Sequence, residues 1–270
     1  MGEGEGYGGM GHLASDSGFL LGYGVFETVL VAGGRAVALE AHLERMQKGL
    51  SVLGLAFPRG LKEAVEALLR RRPLERGSLR IQVTARVERG LEVMGKPRVS
   101  MWLRPGDPYA RAREVGVEAG VVRGVTRNEL SPLCRVKALS FAENVLAFRE
   151  ARERGWEEGI LLNRKGEVAE GSRSNLFWVR KGVMETPGET SGLLPGVTRG
   201  RVIRLAREMG MEVREGSWGP SRIEEAEEVF LTSSLMGVLP VIRWEGRPVG
   251  KGVPGKVAAR LGRELEGFGG

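Results

Sequence analysis

Lys137 stands apart from the other seven lysines of the 270-residue chain. Lys48, Lys62, Lys96, Lys165, Lys181, Lys251 and Lys256 sit in polar turns, on helix surfaces or beside glycine and proline. Lys137 lies in Leu133-Cys-Arg-Val-Lys137-Ala-Leu-Ser-Phe141, where a strand-like segment gives way to a helix start. An amine held among apolar residues loses solvation, so its pKa falls and the neutral, nucleophilic form becomes available. A lone lysine of this kind usually snorkels to water instead, so the assignment needs companions.

Three further stretches supply them. Glu170 stands in Val168-Ala-Glu170-Gly-Ser-Arg-Ser-Asn175-Leu-Phe-Trp-Val179, a small-residue turn before a strongly apolar strand. A buried glutamate needs a cationic or protonated partner. The protonated ring nitrogen of a pyridoxal cofactor is one, and a carboxylate there keeps the ring an electron sink; a turn glutamate facing water is the alternative. Ser191-Gly-Leu-Leu194-Pro-Gly196-Val197-Thr198-Arg199 precedes an amphipathic helix. Free N–H groups and a hydroxyl at a helix N-terminus suit a phosphate, or Thr198 simply caps the helix. Thr232-Ser233-Ser234 follows a strand and could bind phosphate or make a turn.

Other chemistries find no support. His12 and His42 are the only histidines, and no Cys/His cluster exists, so no metal site is expected. No G-x-S-x-G elbow is present for a serine nucleophile. Gly4-Glu-Gly-Tyr-Gly-Gly9 matches a dinucleotide fingerprint only formally, with no strand before it and no helix after it. It reads as part of a glycine-rich tail or loop over residues 1–11. The net charge of +7 comes from 33 arginines scattered among 34 acids, without the clustered stripe that nucleic acid requires. No apolar run of about 18 residues predicts a membrane span, and no secretory signal opens the chain. The single cysteine, Cys134, fits a reducing, cytoplasmic location.

The elements that must position these residues follow from periodicity and breakers. Strands are expected at 24–31, 79–87 and 99–103, with helices at 41–53 and 61–71, giving a smaller α+β N-terminal domain over 1–103. Arg104-Pro-Gly-Asp-Pro108 marks a linker at 104–112. A larger domain over 113–270 follows, with strands at 117–122, 159–162, 175–179, 183–186, 228–231 and 238–243. Its helices are expected at 140–154, 198–209 and 255–265.

Taken in order, these features resemble the fold-type IV pyridoxal-phosphate enzymes: branched-chain aminotransferases, D-amino-acid aminotransferases and 4-amino-4-deoxychorismate lyases. The resemblance runs from about residue 17 to 242. It rests on Gly18-Phe-Leu-Leu-Gly-Tyr-Gly-Val-Phe-Glu-Thr28, His42-Leu-Glu-Arg45-Met46, Lys137-Ala-Leu, Asn144-Val-Leu-Ala147, Ala169-Glu170-Gly, Asn175-Leu-Phe177, Leu194-Pro-Gly-Val-Thr-Arg199 and Val229-Phe-Leu-Thr-Ser-Ser234. It implies a two-domain α/β (α+β) subunit with pyridoxal 5′-phosphate in the interdomain cleft, paired as a homodimer. It makes Lys137 the Schiff-base lysine and proton shuttle, and Glu170 the partner of the ring nitrogen. Arg45 becomes the phosphate grip, helped by Val197, Thr198 and Ser234, and Leu194 packs on the ring. The chain departs from the family in two places: a glycine-rich tail replaces the usual opening strand, and Tyr23 stands where Asp is common.

Within that family Phe26-Glu27-Thr28 looks more like the lyases, which favour Thr there, than like the branched-chain aminotransferases, which tend to have Gly. The resemblance therefore points to conversion of 4-amino-4-deoxychorismate to 4-aminobenzoate and pyruvate, with Thr28 assisting proton transfer. An aminotransferase for branched-chain or D-amino acids is the alternative. The lyase substrate carries two carboxylates, and Arg80 and Arg86 are candidate clamps. Both could equally be exposed strand residues.

Overall fold

The computed structural model describes residues 15–267. The expected glycine-rich tail and His12 lie outside them. Two sheets organise the described chain. The first is antiparallel, in the order β2-β1-β3-β4. Its strands are β1 (Val25–Ala32), β2 (Arg35–Ala36), β3 (Arg76–Arg89) and β4 (Glu92–Pro105). A short helix α1 (Ser17–Leu21) leads in, capped by Asp16, whose side chain accepts from the Gly18 and Phe19 N–H groups. Helices α2 (Leu39–Val52) and α3 (Leu61–Arg71) cover one face. Their apolar stripes, Leu43, Met46, Leu50, Val65 and Leu69, bury against Val29, Val31, Leu79 and Ile81. Each fully buried side chain of this size contributes roughly 1.5–3 kcal/mol.

The second sheet is mixed, in the order β10-β9-β8-β11-β12-β5-β6-β7, with β13 (Arg247–Pro248) on β12. Helix α4 (Ala110–Val115) enters β5 (Val117–Arg127), and α5 (Ala142–Glu153) leads to β6 (Glu158–Asn163). Strands β7 (Val168–Gly171), β8 (Asn175–Arg180) and β9 (Val183–Pro187) follow, then α6 (Val197–Glu208) and β10 (Val213–Gly216). After α7 (Ser221–Glu224), strands β11 (Glu228–Ser233) and β12 (Gly237–Trp244) and helix α8 (Lys256–Gly267) complete the unit. Helices α6 and α8 bury one face through Val202, Ile203 and Leu261 on Phe177 and Phe230. Trp178 and Leu231 fill the other face, so β8 and β11 read as near-continuous apolar runs. No helix among the described residues is long and apolar enough to cross a membrane.

Several elements differ from the periodicity. The expected strands at 79–87 and 99–103 are the middle of one long hairpin, β3 with β4. Pro105 ends β4 inside the expected break. A proline is tolerated there because β4 is an edge strand and needs no donor on its outer side. The break is also shorter than the glycine and prolines suggest, since α4 starts at Ala110. Strand β7 escapes periodicity because it is only four residues long, all buried.

One connection carries Lys137 across to the first sheet. After β5 the chain makes a single 3-10 turn (Pro132–Arg135) and runs extended past β1. Phe26 N–H donates to Lys137 O at 2.9 Å, and Leu139 N–H donates to Gly24 O at 2.9 Å. Residues 137–139 thus return from the second sheet's side to extend the first. Gly24 permits the approach: a Cβ there would stand 2.8 Å from Leu139 Cδ1 and 2.5 Å from Val83 O on β3.

Candidate active site

The two bonds beside β1 set Lys137 at a cavity of about 610 Å³, within the range that holds a small-molecule ligand. Both sheets line it. Phe26, Thr28 and Arg80 come from the first sheet and Arg45 from α2, facing Lys137, Glu170, Leu194, Val197, Thr198 and Ser234. The alternation of β1 sends Phe26 and Thr28 to the cavity and Glu27 to the opposite side.

The Lys137 Nζ lies 4.5 Å from the Phe26 ring centroid and 5.7 Å from that of Phe141. Its pKa is pushed down to about 8. Burial is the main cause, the Arg45 and Arg80 cations add to it, and Glu27 and Glu170 oppose it. The amine is therefore available as a base or nucleophile near neutral pH.

Glu170 is buried on β7 and accepts from two donors. Arg127 Nη2 lies 2.8 Å from Oε1, and Leu194 N–H reaches Oε2 at 2.9 Å. Burial pushes the Glu170 carboxyl up, while Arg127 and the Leu194 N–H pull against that. Both contacts are donors, which suits an ionised carboxylate, and each oxygen keeps a lone pair for one more. Arg127 is fixed in turn by the carbonyls of Gly192, at 3.1 Å, and Cys134, at 3.2 Å. The turn after Glu170 is pinned from below. Buried Glu158 accepts from Ser172 N–H at 3.0 Å and from the Ser174 hydroxyl at 2.9 Å.

An anion cup lies on another wall. Helix α6 begins at Val197 with Gly196 as its N-cap, no side-chain cap and no acid in the first turn. Thr198 is therefore the second helical residue and not the cap, leaving its hydroxyl uncommitted to capping. A Cβ at Gly196 would stand 2.0 Å from Asn175 Oδ1, so any larger residue there would displace that side chain. Asn175 Nδ2 donates to Leu194 O at 3.0 Å and holds that approach. Ser234 and Arg45 close the cup. The Thr232 hydroxyl, also in the cavity wall, is buried without a hydrogen-bond partner among the described residues.

The two candidate arginines part company. Arg80 stands on the cavity floor, its Cζ 3.8 Å from the Phe26 centroid. It has no ion pair among the described residues, and burial alone depresses its pKa. Arg86 does not join it. It lies toward the hairpin end of β3, outside the cavity lining. Arg86 is exposed beside Glu88, at 3.5 Å.

Comparison with known proteins matches the model of the family described as amino-transferase class IV over residues 24–244. The chain belongs to this family. The chain is 29% identical over 258 residues to the D-alanine aminotransferase of Bacillus licheniformis, covering 93% of this chain and 89% of that protein. It is 29% identical over 240 residues to the aminodeoxychorismate lyase of Bacillus subtilis strain 168, covering 85% and 80%. Among solved structures it superposes on the PLP-bound form of a hypothetical aminotransferase from Mycobacterium tuberculosis. The TM-score is 0.83 at 25% identity, over 95% of this chain and 92% of the other. The cofactor of this family is pyridoxal 5′-phosphate.

Family membership sharpens what the cup and the carboxylate are expected to do. Arg45→Ala should weaken binding of pyridoxal 5′-phosphate to the apoprotein by about one to two decades, the worth of a charge-assisted contact. A titration that matches the wild type would remove Arg45 from the site. Glu170→Gln should keep cofactor binding and lose most turnover, since an amide cannot hold a ring-nitrogen proton. Near-normal turnover would make Glu170 a structural partner of Arg127 alone.

Proposed function

We propose that Lys137 carries pyridoxal 5′-phosphate and that the enzyme cleaves 4-amino-4-deoxychorismate to 4-aminobenzoate and pyruvate. The observation that carries the choice of reaction is the register of β1 on β3, which sets Thr28 directly opposite Arg80. Opposed residues on one face are close neighbours. The cavity floor therefore carries a hydroxyl beside a guanidinium that has no ion pair among the described residues.

The residues present fit the cofactor. Lys137 supplies an amine of lowered pKa, the α6 N-terminus with Arg45 and Ser234 supplies a phosphate cup, and Glu170 supplies a buried carboxylate. The buried Thr232 hydroxyl in the same wall has no partner among the described residues. When bound, the cofactor takes up the electron pair left on the amine-bearing carbon as its proton departs.

The chain's own groups supply the rest. Arg80 binds the carboxylate of the enolpyruvyl group, which brings the ether oxygen beside Thr28. The Lys137 amine takes the proton from the amine-bearing carbon. The ring carbon–oxygen bond then breaks, the ring becomes aromatic, and the Thr28 hydroxyl passes a proton to the departing enolpyruvate. The proton gained by Lys137 replaces it, so one substrate gives one 4-aminobenzoate and one pyruvate with no water consumed. Glu170, held by Arg127, meets the ring-nitrogen proton.

The Bacillus subtilis lyase among the relatives supports this reading. The D-alanine aminotransferase, at equal identity, supports the alternative, an aminotransferase for D- or branched-chain amino acids. Incubation with aminodeoxychorismate, and separately with amino-acid and keto-acid pairs, decides between them by the products formed. A cytoplasmic homodimer completes the reading. Leu130, Leu133, Val145 and Leu146 expose apolar side chains, and Leu133 also lines the cavity.

A further inference from the structure

Glu27 points away from the cavity, is fully buried, touches Arg45 of the anion cup directly and reaches Ser234 through His42. Arg45 grips it in bidentate fashion, Nε to Oε1 at 2.8 Å and Nη2 to Oε2 at 2.7 Å. His42 Nδ1 meets Oε2 at 2.7 Å, and His42 Nε2 lies 3.3 Å from the Ser234 hydroxyl. The third arm of Arg45, Nη1, donates to Pro195 O at 3.1 Å, one residue before the α6 N-cap. One carboxylate on β1 thus organises Arg45 on α2, the loop that opens α6 and, through His42, the turn after β11.

The chemistry of each group fixes its role. The Arg45 cation and the hydrogen bonds from His42 and Arg45 overcome the burial that would raise the Glu27 carboxyl, and its pKa falls to about 2. It is an acceptor at any ordinary pH, so His42 must present Nδ1–H to it. That hydrogen bond fixes the imidazole ring and aims Nε2 at Ser234. The same carboxylate occupies the Nε and Nη2 donors of Arg45 and holds the guanidinium plane by a two-point contact.

We infer that Glu27 and His42 are positioning residues for a phosphate ester, with Glu27 orienting Arg45 and His42 orienting the Ser234 hydroxyl. The inference rests on the reading of the cavity as a pyridoxal 5′-phosphate site. It assigns a function to two residues that touch no ligand. It also weights recognition of the phosphate over that of the ring, because neither residue lines the cavity and Glu27 reaches Lys137 only through its charge.

The test compares pyridoxal 5′-phosphate with pyridoxal, which lacks the phosphate. Each is titrated into apoprotein of the wild type, Glu27→Gln and His42→Asn. Thermal melting checks that each variant is folded. The wild type should prefer the phosphorylated form strongly. Each variant should lose roughly ten- to a hundredfold in affinity for it, the worth of a misaligned charge-assisted contact, and little for pyridoxal. A merely structural role would weaken both ligands alike. His42→Asn, which leaves the Glu27–Arg45 pair intact, keeps the test open if Glu27→Gln does not fold. His42→Gln, long enough to reach both Glu27 and Ser234, should recover part of the loss. Folded variants that keep the wild-type preference overturn the inference and leave the cofactor reading standing. A wild type that binds neither ligand overturns both.

Discussion

Lys137→Ala should abolish turnover, with a fall of roughly 10⁴-fold or more, at the upper end of general acid–base effects. The size follows from one atom doing two jobs, holding the cofactor and moving the proton. Wild-type protein should be yellow when loaded, and borohydride should fix the cofactor on a single peptide. A labelled peptide that lacks Lys137 removes the central assignment. The lowered pKa gives a second, independent signature. Capture of free cofactor needs the neutral amine, and a base with a pKa of about 8 is half neutral at that pH. The capture rate by apoprotein should therefore rise with pH, reach half its limit near pH 8, and level off above it. An exposed lysine, with an ordinary pKa near 10.4, would still be accelerating there. A rate that climbs without a plateau to pH ~10 would show that burial by Phe26 and Phe141 does not tune this amine.

What the sequence disclosed and what it hid have a common physical origin. Lys137, Glu170, the 194–198 stretch and Ser234 each carry a local signature, a polar group in an apolar or small-residue setting. The structure brings all of them to one cavity wall or another. The face of β1 was equally legible, since strand alternation alone separates Phe26 and Thr28 from Val25 and Glu27. The residues that support them were not. Arg127 is one of 33 arginines, and only the return of the chain beside Glu170 distinguishes it. Glu27 and His42 lie 15 residues apart on a strand and a helix, and their contact exists only after α2 packs on β1. Glu158 reads as an ordinary charged residue at a strand start until β7 folds over it.

Arg86 illustrates the opposite error. Arg80 and Arg86 share parity along β3, so simple alternation places them on one face. Arg86, however, lies toward the hairpin end of β3 and outside the cavity lining, so a shared face is not a shared site. The register shift beyond Thr84 leaves its extra residues on β4, where Gly95 and Pro97 mark it. The cavity floor is left with one first-sheet arginine instead of two. That singleness bears on the reaction. A lone guanidinium beside a lone hydroxyl defines one end of a substrate, and the chemistry at that end is what the hydroxyl can reveal.

Thr28→Val should reduce pyruvate release from aminodeoxychorismate by roughly 10²–10⁴-fold, the usual worth of a positioned general acid. The substitution keeps the branched shape that suits a strand and removes only the hydroxyl. Thr28 is half-buried on β1 and faces the cavity, so its loss leaves the core beneath the sheet untouched. The cofactor's absorbance should stay the same, because Lys137, Glu170 and the anion cup lie on other walls. The fall should appear in kcat more than in KM, since Arg80 still binds the carboxylate while the departing oxygen goes unprotonated. An aminotransferase expels no such group, so the same hydroxyl would contribute little to it. Should the wild type release no pyruvate, yet convert an amino acid to its keto acid at a rate that Thr28→Val leaves unchanged, the lyase reading fails. The cavity then belongs to an aminotransferase, and the Thr28–Arg80 pair becomes its carboxylate-binding floor.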